Sequence, residues 1–134
     1  MTAVVVVKAP ARPGSVITLA LLQVVTGAIF LLGGSALLTF ASGGSAALRI
    51  FGAVHFPIGI SFLALGTASL FSSRKRVWTL GLGVTLASVA DDLVAFAFLP
   101  LPLDGVVGTT VVLVTALVVA YLLARRDARS FFQS

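Results

Sequence analysis

Residues 77–99 read VWTLGLGVTLASVADDLVAFAFL, an apolar run whose only charges are the adjacent carboxylates Asp91 and Asp92. As a helix at about 1.5 Å per residue, the run reaches across a hydrocarbon core roughly 30 Å thick. Its reading as a membrane span decides the fold. It also poses the functional question, which is why two aspartates lie inside it.

Three more runs of the same kind surround it. Residues 16–40 carry no charge, residues 48–71 carry Arg49 at their start with His55 and Pro57 inside, and residues 106–124 are rich in β-branched side chains. The connections are short: ASGGSAA over 41–47, SSRKR over 72–76, and PLPLDG over 100–105, where two prolines stop a helix from continuing. Residues 1–15 read as a tail broken by Pro10 and Pro13, and residues 125–134 (RRDARSFFQS) as a basic tail. A cleaved leader is the alternative for the first segment. The apolar run after it is too long for a leader's core, however, and more spans follow. The expected fold is all-α: a polytopic, antiparallel bundle of four transmembrane helices in one domain over 1–134.

Composition agrees. The chain is 59% hydrophobic and 10% charged, well outside the range of soluble domains, and 134 residues cannot hide that much apolar surface from water. The absence of cysteine removes disulfides, thiolate nucleophiles, zinc–thiolate sites and iron–sulfur clusters. One His and no Glu leave most metal cages unbuildable, so no metal and no cofactor is expected. The net charge of +5 sits on short flanks of apolar runs with no interleaved aromatics, a pattern that fits lipid headgroups rather than nucleic acid.

The basic residues also set an orientation. Lys8, Arg12, Arg74, Lys75, Arg76, Arg125, Arg126 and Arg129 fall on the side of both termini, and Arg49 alone falls on the other. The positive-inside rule then makes both termini cytoplasmic and places the chain in the cell's inner or plasma membrane. Trp78 and Tyr121 come near the inner interface, where an aromatic belt belongs. The excess of Arg over Lys, with Ala, Val, Leu and Gly dominant, fits a GC-rich bacterial genome.

Small residues recur every seven positions: Gly27, Gly34 and Ala41; Gly52, Gly59 and Gly66; Gly81, Ser88 and Ala95. That spacing keeps a narrow stripe against a partner helix, and small side chains let backbones approach in lipid. Counting these as first heptad positions puts His55 and Asp91 on the packing seams and turns Asp92 about 100° to one flank. By helix rise His55, Asp91 and Asp92 lie roughly 5–7 Å to the outer side of the midplane, and Gln23 lies a similar distance to the inner side. Arg49 has the reach to extend its stem towards Asp92. The candidate site is therefore a polar cluster of His55, Asp91, Asp92 and Arg49 in the outer half, with Pro57 kinking the second span beside it.

Each intramembrane Asp costs about 2.5–3.5 kcal/mol on insertion scales, and two adjacent buried carboxylates cannot both stay charged, which suits proton handling. Three functions fit. A non-enzymatic scaffold or accessory subunit, self-associating or part of a larger membrane complex, would use the cluster to tie helices together. An oligomeric proton-coupled transporter or channel for a small solute would use it to carry charge. A membrane enzyme acting on a lipid or isoprenoid would use Asp91 or Asp92 with His55 as acid and base. Of these the scaffold is the simplest, since a buried Asp is most often bonded to a neighbouring helix.

The length, the four spans, Arg49 with Gly52 opening one span and an acidic residue deep in another resemble the small four-helix bacterial membrane proteins of the DoxX-like kind and neighbouring families. The resemblance implies the bundle. It carries over no functional residue.

Overall fold

A computed structural model describes residues 12–40, 46–99 and 103–132. The readings made above for residues 1–11, 41–45, 100–102 and 133–134, with Lys8 and Ala41, lie outside these. The described chain is all-helical, with α1 (Gly14–Phe40), α2 (Ala46–Phe71), α3 (Lys75–Phe98), α4 (Leu103–Ala124) and a short α5 (Arg126–Phe131). The first four contain 27, 26, 24 and 22 residues, or about 33–40 Å of helix each. All four are long and apolar enough to cross a membrane, which makes this a multi-pass membrane protein.

The helices stop where the backbone must leave the α conformation. Pro13 precedes α1, and its carbonyl accepts from the Val16 N–H. Leu99, extended at φ −104° and ψ 137°, ends α3 one residue before Pro100, as the clash of a proline ring with a preceding helical residue requires. Within the spans, backbone groups have no water to turn to, so they bond along the helix. Hydroxyls follow the same rule. Thr26, Ser69 and Thr85, all buried, each donate to the carbonyl four residues back at 2.6–2.8 Å. Helix α2 runs on through Pro57, whose ring faces outward on an exposed flank.

Helix α1 packs most extensively on α2, α3 packs on α4 and on α2, and α4 also borders α1. The α1–α2 contact is backbone on backbone. A Cβ on Gly27 would stand 2.7 Å from the Gly59 carbonyl oxygen, one on Gly34 2.9 Å from that of Gly52, and one on Gly66 2.9 Å from that of Ala20. Only glycine tolerates such approaches, and they maximise the dispersion that holds helices together in lipid. Val16, Leu19 and Phe30 of α1, Phe62 of α2, and Val112, Val119, Leu122 and Leu123 of α4 fill the apolar core. Of the fully buried apolar residues, helix α3 supplies Ala95. Its buried face is Gly81, Thr85, Ser88, Asp92 and Ala95.

Where the sequence reads as a basic tail, residues 126–131 form α5, set off by Arg125 in an extended conformation. Ala128 and Phe132 are buried against the bundle, which gives this segment an apolar reason to fold back. Arg12 holds it from the other side, donating to the Ser69 carbonyl at 3.2 Å while its guanidinium lies 5.2 Å from the centre of the Phe131 ring. The Ser15 hydroxyl donates to Asp127 at 2.6 Å, and Trp78 Nε1 donates to the Leu123 carbonyl at 2.8 Å. This end of the bundle, with its arginines, is referred to below as the basic end.

Candidate functional site

Towards the other end, α2 turns His55 inward between Phe30 of α1 and Phe51 of its own preceding turn, at ring-centroid separations of 4.9 and 4.4 Å. Gly34 makes the room: a Cβ there would come within 2.9 Å of the His55 Cβ. His55 Nδ1 lies 2.8 Å from the Phe51 carbonyl oxygen. A carbonyl only accepts, so Nδ1 carries the proton of that bond and Nε2 is the lone-pair nitrogen of the neutral ring.

Across from it on α3, the Asp91 Oδ2 lies 3.7 Å from His55 Nδ1. That is beyond hydrogen-bond length, and the Nδ1 proton already points to Phe51. Asp91 thus faces the histidine without being bonded to it. Asp92 is 1% exposed and sits on the buried stripe of α3. Neither of its carboxylate oxygens has a hydrogen-bond partner among the described residues, and the same holds for Asp91 Oδ2 and for Ser88 Oγ. Ser88 breaks the pattern of Thr26, Ser69 and Thr85, because its hydroxyl does not return to its own helix. Four buried oxygens in slightly more than one turn of α3 therefore wait for a donor or a positive charge.

Asp91 also lines an open groove of about 350 Å³ between the ends of α2 and α3. The other walls are apolar, with Ile50, Phe51 and Val54 on α2 and Val94 and Phe98 on α3. Phe98 is 80% exposed, so the groove faces the lipid rather than the core.

The structure distributes the sequence-derived candidates unevenly. It brings His55 and Asp91 face to face. The two aspartates exchange their expected places: buried positions on α3 step 81, 85, 88, 92, 95, so Asp92 occupies the seam and Asp91 the flank. A first-position stripe of Gly81, Ser88 and Ala95 accepts a second row either three or four residues on, and spacing alone does not choose between them. Arg49 is exposed and, six positions before His55, is turned about 120° from it around α2. Gln23 belongs to a different centre. Its Oε1 takes the longer branch, at 3.2 Å, of a Ser69 hydroxyl bond shared with the Leu65 carbonyl at 2.8 Å, and its amide nitrogen would lie 3.2 Å from a Cβ on Gly81.

Ser88 and the groove walls did not stand out in the sequence as functional. Ser88 had a signal, since it lies four residues before Asp92 and shares its face. The wall residues had none, being apolar side chains in apolar helices. Among the described residues, no three His, Cys, Asp or Glu side chains come together as a metal site would need. Comparison with protein families, with curated proteins and with solved structures gives no match to this chain.

Proposed function

We propose that this protein is an antiparallel four-helix bundle of the inner or plasma membrane, with both termini cytoplasmic, which acts as a self-associating carrier of a small solute and couples its movement to a proton at the His55–Asp91–Asp92 cluster. Antiparallel packing is supported by the glycine register, in which the α2 partner falls by seven (66, 59, 52) as the α1 residue climbs by seven (20, 27, 34). The orientation is supported by the concentration of Arg and Lys at the basic end. Four short spans enclose little space, so a carrier of this size acts as an oligomer.

The observation that carries the functional reading is the set of four buried, partnerless oxygens beside an open groove. A scaffold aspartate repays its insertion cost by bonding to a neighbouring helix; among the described residues Asp92 bonds to none, and Asp91 comes only to 3.7 Å from His55 Nδ1. The α1–α2 interface closes without either of them. Carboxylates inside a membrane span are rare and mark ion and proton pathways.

The test is solute-driven proton movement in proteoliposomes containing a trapped pH dye. Wild-type protein should change the internal pH when a transported solute is added outside, and Asp91→Asn and Asp92→Asn should each abolish the change. If both variants behave as wild type, the carboxylates are structural and the carrier reading fails.

A further inference from the structure

Resting on that reading, we infer that the groove between the outer ends of α2 and α3 binds a membrane-soluble organic cation, with Asp91 as its counter-ion and Phe51 and Phe98 as aromatic walls. The volume of about 350 Å³ falls in the range of small-molecule sites. Apolar lining with one oriented polar group is the usual construction of such sites. Aromatic walls add cation–π attraction, worth most where water is excluded. An anion would meet the Asp91 carboxylate head on, and a neutral hydrocarbon would leave it without a counter-ion.

Among the described residues, the lysines and arginines other than Arg49 lie towards the opposite end of the bundle from Asp91. The Nδ1 proton of His55 is directed to Phe51. Arg49 stands near the start of α2, on another side of that helix from His55. Lys75, the first residue of α3, is sixteen positions from Asp91, or about 24 Å along the helix. Arg125, Arg126 and Arg129 lie with α5 at the basic end. The groove spans eight residues of each helix, from Ala47 to Val54 and from Asp91 to Phe98. That is about 10 Å from the helix ends to Asp91, short for a lipid tail and long enough for a compact aromatic amine.

The cation and a proton compete for the same carboxylate: as the cation pairs with Asp91, a protonated carboxyl gives up its proton to solvent. The other titratable groups around it are Asp92 on the same helix and His55 on α2. Helix α1 meets the cluster with Phe30, Gly33 and Gly34, and the titratable side chain described on α4 is Tyr121, near the basic end.

Binding of radiolabelled tetraphenylphosphonium to the full chain in phosphatidylcholine nanodiscs tests this, with the anionic isostere tetraphenylborate as control. The expected result is saturable binding of the phosphonium alone, weakened about tenfold or more by Asp91→Asn. Val94→Trp, which fills the groove and leaves the carboxylate in place, should weaken it to a similar degree. Wild-type affinity should also fall as pH is lowered through the range in which Asp91 takes up a proton, while that of Asp91→Asn stays flat. Equal binding of the borate, or unchanged phosphonium binding in both variants, overturns the inference. So does a stoichiometric membrane partner whose cross-link to residue 94 disappears in Asp91→Asn, because the groove would then be a helix seat. If the phosphonium fails to bind while other solutes drive Asp91-dependent proton movement, the ligand class falls and the carrier reading stands. Asp91-dependent binding without any proton movement gives the reverse.

Discussion

Helices α1 and α3 use the same spacing of small residues for opposite ends. On α1, Gly27 and Gly34 bring backbone against the backbone of α2, and a closed interface results. On α3, Gly81, Ser88 and Ala95 lie on a stripe shared with Thr85 and Asp92, and the space they leave is occupied by polar side chains. Gly81 admits the amide of Gln23, which is bonded to Ser69. One heptad further on, Ser88 and Asp92 are equally buried and bonded to nothing described. Seven-residue periodicity thus specifies close approach but not what the approach is for. Packing uses it on α1, and on α3 it makes room for groups that the bundle alone leaves unsatisfied.

The largest effect should come from forcing a side chain into the closed interface. Gly27→Leu meets the Gly59 carbonyl and Leu63, with atoms already under 3.0 Å from the first carbon. Separation of α1 from α2 should cost at least about 3 kcal/mol or prevent folding. Gly83→Leu, on the same helix as Gly81 but with nothing within 4 Å, should stay within about 0.5 kcal/mol of wild type. Thermal unfolding in detergent compares the two, and equal losses would mean that α1 and α3 do not differ as described.

The next contrast sets the two buried polar centres against each other. Asp92→Val removes a carboxylate that nothing bonds, and should stabilise the protein by about 1–3 kcal/mol while abolishing solute-driven proton movement. Gln23→Ala removes a bonded amide and opens a void opposite Gly81, and should destabilise it by about 1–3 kcal/mol. Opposite signs in the same unfolding assay are the expected outcome. A loss of stability in Asp92→Val would show that this carboxylate is bonded in the folded protein.

The spans were legible because apolar length is a property of sequence alone, though each helix runs two or three residues further at its start than its apolar core. Helix α1 begins at Gly14 rather than 16, and α3 at Lys75 rather than 77. Helices continue until proline or an extended residue ends them, whatever the hydropathy. The meeting of His55 with Asp91 was legible from matching depth, although the expected phase put Asp91 rather than Asp92 on the seam. Which aspartate is buried was not, since adjacent residues differ by about 100° and the choice is made by neighbouring helices. The groove was illegible for a different reason: Val94 and Phe98 look like lipid-facing residues, and they are. Helix α5 hid behind Arg126, Asp127 and Arg129, with Phe132 the one hint that the segment returns to the core.

A smaller effect separates Gly81, which meets side chains, from the glycines that meet backbone. Gly81→Ala meets only the far end of Gln23 at 3.2 Å, with Leu123 at 3.7 Å. A flexible amide gives way where a carbonyl does not, so the change should cost about 0.5 kcal/mol or less. A penalty as large as that of Gly27→Leu would mean that α3 is also held by direct backbone contact.

The smallest expected effect is one of pH at the basic end, and it guards the interpretation of the others. The Ser15 hydroxyl, helped by Arg125 and the Ala128 backbone N–H, holds the Asp127 carboxyl below its ordinary value of 3.8. A lowered native value means that folding favours the charged form. The contribution is therefore complete above about pH 4 and fades only as pH falls through the lowered value. Hydrogen exchange of residues 126–132, or the emission of Trp78 beside Leu123, should consequently stay constant from about pH 8 to about pH 5 and change only in stronger acid. Ser15→Ala should bring that change back towards the ordinary carboxylate range. If α5 loosened between pH 8 and 5 instead, a proton effect on solute binding could arise at the basic end. Asp91 would then have to be separated from α5 by the Asp91→Asn, Ser15→Ala double variant before the two halves of the bundle could be given different roles.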